Sequence, residues 1–352
     1  MIRKNVRIVV VGAAWYGDWA KLFYQACLRR GLAATIVYNN SVPATWGGNK
    51  DSVVNVLERA KMTLRRVTPR LFRYLKTARQ FVTELEVLFR AWLSWRKDSL
   101  VVFIWTPGSH LVLKLLRALT KAKLILWLGE PVVRDDTWEE KFDYFDRVFM
   151  VGDGLWREVL WEKNKKRVEL LPLASDHNIF FPAEVAEEYK SDIVFIGKYL
   201  PSRAKSLEAF REYNLKIYGY GWEMGFLEFP WLKDKWGGSL PIDKSNLVYN
   251  GAKIAIGTLG MPKDSFTTTT QRTFDIALSG VFQVSERVPL TYELFGESIG
   301  FYKDDEDLKR KVEYYLERPE ERMSCAKRAR AIALNYTYDK SVDKIIGSII
   351  EK

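Results

Sequence analysis

The chain has 352 residues, of which 47% are hydrophobic and 28% charged, and a formal net charge of +11. That length allows two domains of ordinary size, and the positive surplus calls for an anionic partner. Two cysteines and two histidines leave no material for a disulfide framework or a His/Cys metal centre, and no apolar run reaches the roughly 18 residues of a membrane span.

The opening MIRKNVRIVVVG carries an apolar run too short for a secretory leader, so it reads as a first strand over residues 8–11. A cytoplasmic location is the expectation. An amphipathic helix over 18–30 and a strand over 33–38 complete a βαβ start. GAAWYG is not a GxGxxG fingerprint; Gly12 and Gly17 suit a close backbone approach, to a ligand or to a neighbouring element. Further on, Leu71, Leu75, Ala78, Val82, Leu85, Phe89 and Trp92 recur at steps of four and three, which predicts a helix whose apolar stripe faces the core. Strands are expected over 100–105, 123–128, 147–151 and 168–173, with a helix over 111–120. Strands that alternate with helices give a parallel, doubly wound sheet. Its ligands gather beyond the strands' carboxyl ends, here 12–18, 106–110, 129–136 and 152–154.

The polar, acidic, Pro-bearing stretch 181–190 reads as a linker. Beyond it the pattern repeats, with strands over 192–196, 215–218, 252–257, 281–284 and 300–302. Helices follow over 305–317, 319–335 and 341–350.

The most informative stretch is TTTTQRTFDIALSGVFQVSE, residues 267–286. A polar loop enters a short helix that stops at Gly280 and turns into a strand. The first amides of such a helix lack internal partners and carry the positive end of its dipole. Thr267, Thr268, Thr269 and Thr270 add hydroxyls, and Arg272 adds a planar cation suited to phosphate oxygens. An ordinary Thr-capped helix with a surface Arg has the same sequence.

This stretch and its continuation through YYLERPEERMSCAKRARAIALNYTYDKSV resemble the C-terminal domain of GT-B glycosyltransferases. The branch resembled is the CgeB-like "group 1" type related to family four. RVELLPLASDHNIFFP and SDIVFIGKYLPSR are similar to the same family's pre-linker strand and second-domain opening. The resemblance implies an α/β fold of two Rossmann-like, doubly wound parallel-sheet domains with an interdomain cleft. The domains would be 1–183 on the acceptor side and 184–336 for the nucleotide sugar, with 337–352 a helix crossing back onto the first.

It further implies transfer of a hexose from a nucleotide diphosphate sugar, UDP- or GDP-linked, to a hydroxyl acceptor on a lipid, glycan or protein, with no cofactor and no obligatory metal. Arg203, with Lys198 or Lys205, would meet the donor diphosphate. Tyr218 and Gly219, in the turn through Trp222, would line the nucleobase side. Thr268, Thr269, Thr270, Gln271 and Arg272 would hold sugar and phosphates, and Asp275 the ribose. Asp275 matches the second acid of the family's E-x7-E pattern, whose first acid would fall at Thr267, so the pattern is incomplete. In the first domain His110 leads as catalytic residue, with Glu130, Asp18 and Asp135 or Asp136 as alternative bases. The carboxylates also suit helix caps.

Between residues 53 and 98 eleven Lys/Arg stand against four Asp/Glu, interleaved with Phe72, Tyr74, Phe81, Trp92 and Trp95. The segment suits an anionic membrane surface, an ordinary solvated face, or a nucleic-acid backbone. Two rival readings stand beside the enzyme: a non-catalytic sugar-nucleotide or glycan-binding protein on the same scaffold, and a nucleic-acid-associated protein.

Overall fold

The computed structural model describes residues 6–12, 19–38, 69–93, 99–105, 107–129, 136–152, 168–260 and 269–350, with side chains described for all of these except 69–80, 136–139 and 350. The chain divides into two compact units, residues 1–172 with 338–352, and residues 173–337.

The first unit holds a six-stranded sheet of β1 (Arg7–Gly12), β2 (Ala33–Tyr38), β3 (Ser99–Trp105), β4 (Lys123–Leu128), β5 (Arg147–Met150) and β6 (Val168–Leu170), in the order β2-β1-β3-β4-β5-β6. Every pairing is parallel. The runs RIVVVG, SLVVFIW and KLILWL are continuous because both faces of these central strands are covered. One face carries Val9, Val101, Leu124 and Val148 into the core beside Val112 and Leu116 of the helix His110–Leu119. On the other face Trp127 meets Phe23 of Trp19–Arg29 and Tyr338 of Tyr338–Ile350, at ring distances of 5.9 and 6.1 Å. Arg29 and Arg30 fasten that last helix through Asp339 and Asp343. A Cβ on Gly12 would fall 2.6 Å from the Ala20 Cβ. Gly12 therefore serves helix-on-strand packing; Gly17 lies outside the described residues.

The helix Pro69–Trp92 corrects the expected stripe. Among its described side chains the buried ones are Val87 and Ala91, while Val82 and Phe89 are 65% and 57% exposed and Phe81, Leu85 and Trp92 also face out; the side chains of Leu71, Leu75 and Ala78 lie outside those described. Apolar residues occur on two sides of this helix, so the pattern alone does not choose between them. The smaller pair, Val87 and Ala91, lets the backbone come close to its neighbours, and that side is the one buried.

The second unit has a five-stranded parallel sheet of β7 (Ser191–Ile196), β8 (Leu215–Tyr218), β9 (Ala252–Gly257), β10 (Phe282–Glu286) and β11 (Gly300–Tyr302), in the order β11-β10-β9-β7-β8. Ile193, Phe195, Ile217, Ile254, Ile256 and Val284 form its core with Trp222 and Leu308. Two all-parallel α/β units are thus present.

The unit boundary at Leu173 precedes the stretch read as a linker. Residues 181–190 are tied to the second unit: Asn246 Oδ1 accepts from Phe181 N at 3.1 Å, and Asn250 Oδ1 from Ala183 N at 2.8 Å. These asparagines lie on Ile242–Asn250, a helix the sequence reading did not place. Among the described residues no helix is long and apolar enough to cross a membrane.

Candidate functional site

The donor-side candidates Arg203 and Arg272 come together near the carboxyl ends of β7, β9 and β10. Past β7 the chain runs Gly197, Lys198, Tyr199 and Leu200 into the helix Pro201–Glu208, opened by a proline at its first turn. Arg203, expected from the resemblance to meet the donor diphosphate, sits on this helix and is only 8% exposed. Its Nη1 donates to Lys198 O at 2.9 Å and its Nη2 to Leu259 O at 2.7 Å. Arg272, on Gln271–Ser279, donates Nη1 to Ile196 O at 3.0 Å and Nη2 to Thr258 O at 2.9 Å. The two guanidiniums share the Phe195 ring, at 5.5 and 4.9 Å from its centroid.

Both arginines therefore rest on backbone carbonyls, and the Nε of each is buried without a hydrogen-bond partner. Among the described residues neither forms an ion pair. Burial lowers the pKa of both; for Arg203 the charge of Arg272 adds to it, while Glu286 opposes the shift in each. Two desolvated like charges held this close are costly until an anion joins them. A phosphate or diphosphate, with several acceptor oxygens, is the matching ligand.

Thr270 caps Gln271–Ser279, its hydroxyl accepting from Thr273 N at 3.3 Å, and Gly280 ends the helix at φ 77°. The cap places Gln271 at the helix's first turn. Thr269 is buried beside it, whereas Thr267 and Thr268 lie outside the described residues.

Asp275 points inward, 9% exposed, and its Oδ1 accepts from Ser175 Oγ at 2.6 Å. Burial raises its carboxyl to about 7, with Asp176 contributing, against hydrogen bonds from Ser175 and Gln271 and the charge of Arg272. Ser175 in turn forms an isolated bridge with Thr337, and its backbone N donates to Tyr336 O at 3.1 Å. Sequence reasoning did not single out Ser175.

The glycine-aromatic turn after β8 locks onto the β7 loop. Gly197 N donates to Tyr218 O and Tyr199 N to Tyr220 O. Trp222 Nε1 donates to Gly197 O at 2.8 Å, and Trp236 Nε1 to Gly219 O at 2.9 Å. Gly219 adopts φ 128°, and a Cβ there would lie 2.0 Å from Gly197 O, so no other residue fits. Trp222 is fully buried against Phe195 and Tyr199 and offers no free face. Tyr218 is half-buried over Gly237; Tyr220 is the exposed ring of the turn. Lys198 and Lys205 are exposed.

In the first unit His110 opens the helix His110–Leu119 after the Ser109 N-cap. Its side chain is 45% exposed, with Nε2 3.8 Å from Glu140 Oε2 and the ring edge-on to Tyr144. Glu84, unremarked in the sequence, accepts from Ser109 N at 3.0 Å and from the Ser109 hydroxyl. A carboxylate thus already covers this helix start. Asp18, Glu130 and Asp135 lie outside the described residues, as does the side chain of Asp136.

Glu286, missed by sequence reasoning, closes the second site: its Oε1 accepts from Thr258 Oγ1 and Leu259 N at 2.9 and 3.0 Å. Among the described residues no cluster of three or more metal-ligating side chains occurs. An open groove of about 970 Å³ lies at the opposite, amino-terminal edge of this sheet, beside Asn250, Gly280 and Met323. Lys253 and Asp192 on its lining pair with each other at 2.7 Å, and Glu184, Lys190 and Arg322 line it as well.

Residues 202–347 match the family model described as Glycosyl transferase-like. The spore protein CgeB of Bacillus subtilis (strain 168) is 26% identical over 180 residues, which cover 47% of this chain and 56% of CgeB. The match thus spans about half the length of that curated relative. Among solved structures, sucrose-phosphate synthase from Thermosynechococcus elongatus superposes with a TM-score of 0.64 at 12% identity, covering 99% of this chain and 98% of its own. Anabaena HepE in complex with UDP-glucose gives 0.62 at 9% identity over 98% and 99%. An alpha-glucosyltransferase in complex with UDP and a 13-mer DNA containing an HMU base gives 0.63 at 11% over 98% and 99%. The chain thus has the GT-B fold, is similar to CgeB over part of its length, and matches the Glycosyl transferase-like model over residues 202–347.

Proposed function

We propose that this chain is a glycosyltransferase that moves a sugar from a nucleoside diphosphate sugar to a hydroxyl acceptor. The observation that carries the reading is the pair of cations, buried Arg203 and half-buried Arg272, whose Nη groups rest on carbonyls and whose Nε groups are buried and lack partners. As the glycosidic bond breaks, negative charge collects on the departing diphosphate. Cations placed in advance stabilise that charge without reorganisation. The amides at the start of Gln271–Ser279 add to it. In this reading the arginines supply the positive charge, and donor binding needs no divalent ion. Tyr220, exposed in that turn, takes the nucleobase in this reading, and Asp275 reaches a ribose only by sharing its carboxylate with Ser175. The likeness to proteins solved with UDP and UDP-glucose makes the uridine series the first to test.

The first unit, in the same reading, takes the acceptor, with His110 as its base. The outward apolar row Phe81, Val82, Leu85, Phe89 and Trp92, on a helix whose sequence also carries Arg70, Arg73, Lys76 and Arg79, favours a lipid-linked acceptor at an anionic membrane surface. A nucleic-acid backbone would call on the arginines but not on the apolar row.

The test is a thermal-shift and calorimetric screen of UDP, GDP and ADP and their sugar conjugates, in EDTA and in Mg²⁺. Stabilisation by one nucleoside diphosphate in EDTA is expected. No response to any of them in either condition overturns the enzyme reading. Flotation with vesicles containing anionic lipid, beside a DNA-binding titration, decides the acceptor side.

A further inference from the structure

Glu286 ends β10, and the parallel register that pairs Ser285 with Gly257 brings it beside the turn Thr258, Leu259, Gly260. Its Oε1 accepts four hydrogen bonds: from Thr258 Oγ1 at 2.9 Å, Leu259 N at 3.0 Å, Gly260 N at 3.4 Å and Tyr302 OH at 3.1 Å. The same turn presents its carbonyls to the arginines, Thr258 O to Arg272 and Leu259 O to Arg203. One carboxylate oxygen therefore fixes peptide groups whose other ends orient both guanidiniums. Gly260, at φ 64°, completes the turn, and its carbonyl accepts from Ser202 Oγ on the Arg203 helix at 2.7 Å.

An acid beside an anion site has the wrong sign for a ligand. It repels phosphate, and its charge falls off slowly in a partly desolvated edge. If Glu286 were a bystander, removing it would tighten the binding of any phosphate. The hydrogen bonds argue for the reverse.

Resting on the nucleoside-diphosphate reading above, we propose that Glu286 is a positioning residue of the donor site: it holds the 258–260 turn so that Arg203 and Arg272 meet the diphosphate together. It does not touch the ligand and acts through the two arginines. Its effect therefore grows with the number of phosphates and spares the nucleoside.

The experiment is titration of UDP and of uridine, in EDTA, into the wild-type chain and into Glu286→Ala, Glu286→Gln and Tyr302→Phe. Glu286→Ala is expected to weaken UDP by about tenfold, the equivalent of one well-placed hydrogen bond to a charged group, and to leave uridine within about twofold. Glu286→Gln keeps an oxygen where Oε1 stands and is expected to retain most of the affinity. Tyr302→Phe removes one of the four bonds and should weaken UDP by about twofold to threefold; it carries the test should Glu286→Ala fail to fold. UDP binding as tight as wild type or tighter in Glu286→Ala and Tyr302→Phe overturns the proposal. So does an equal loss for uridine, which would mark general damage, and so does a loss in Glu286→Gln as large as in Glu286→Ala. Failure of the wild-type chain to bind UDP, GDP or ADP sinks instead the donor reading on which the proposal rests.

Discussion

Asp275→Asn should make the protein more resistant to unfolding as the pH rises. In the folded chain burial lifts this carboxyl from 3.8 to about 7. The folded state then holds the proton more tightly than the unfolded state does. Stability from that proton is complete below about pH 4 and is lost as the pH climbs through 7. From pH 5 to pH 7 the loss is about 3 kcal/mol, two pH units at roughly 1.4 kcal/mol each. Asparagine does not titrate, yet its Oδ1 still accepts the Ser175 hydroxyl seen at 2.6 Å. The variant's stability relative to wild type should therefore improve by about 3 kcal/mol between pH 5 and pH 8. Urea unfolding followed by tryptophan fluorescence at the two pH values measures it. An equal difference between the two proteins at pH 5 and at pH 8 would refute the titration and leave Asp275 ionised throughout.

Arg203→Ala should weaken UDP binding by about 1.5–3 kcal/mol, roughly ten- to a hundredfold, and Arg203→Lys should recover little because an ammonium cannot span Lys198 O and Leu259 O; unchanged affinity by calorimetry removes Arg203 from the donor site. Gly219→Ala forces a side chain into φ 128° and against Gly197 O, costing upwards of about 3 kcal/mol, and a melting temperature equal to wild type would show the turn to be wrongly built. His110→Ala should lower turnover with UDP affinity kept, and its half-exposed ring predicts a stability change within about 0.5 kcal/mol; full activity reassigns it to the surface.

Much of the sheet architecture was legible in the sequence because its strands are buried on both faces. β4, β8, β9 and β11 begin and end where apolar runs and glycines place them. The helix Pro201–Glu208 was not legible: only Ala204, Leu207 and the stem of Arg203 are buried along it, and one of those looks like a surface cation. Arg272 could be read from its helix start. Its company with Arg203 came only through the family resemblance and not from the residues themselves, because the partner comes from another strand end 69 residues earlier in the sequence. Glu286 gave no signal either. It is a single acid after an apolar strand, and its role exists only once the register sets it beside residues 258–260. The outward row on Pro69–Trp92 shows the converse limit: a stripe of the right period states that a face is apolar, not that it is covered.

The division into units also sets the order in which the chain is able to fold during synthesis. Residues 173–337 are contiguous, whereas the first unit is complete only with the helix Tyr338–Ile350. A ribosome thus delivers every strand of the first sheet, then the whole second unit, and only afterwards the helix whose Tyr338, Val342, Ile345 and Ile346 become buried. In the interval Trp127 lacks its contact with Tyr338, and Arg29 and Arg30 lack Asp339 and Asp343. A nascent chain stalled anywhere within residues 173–337 exposes that apolar face to chaperones, so this first-made unit is the last to close.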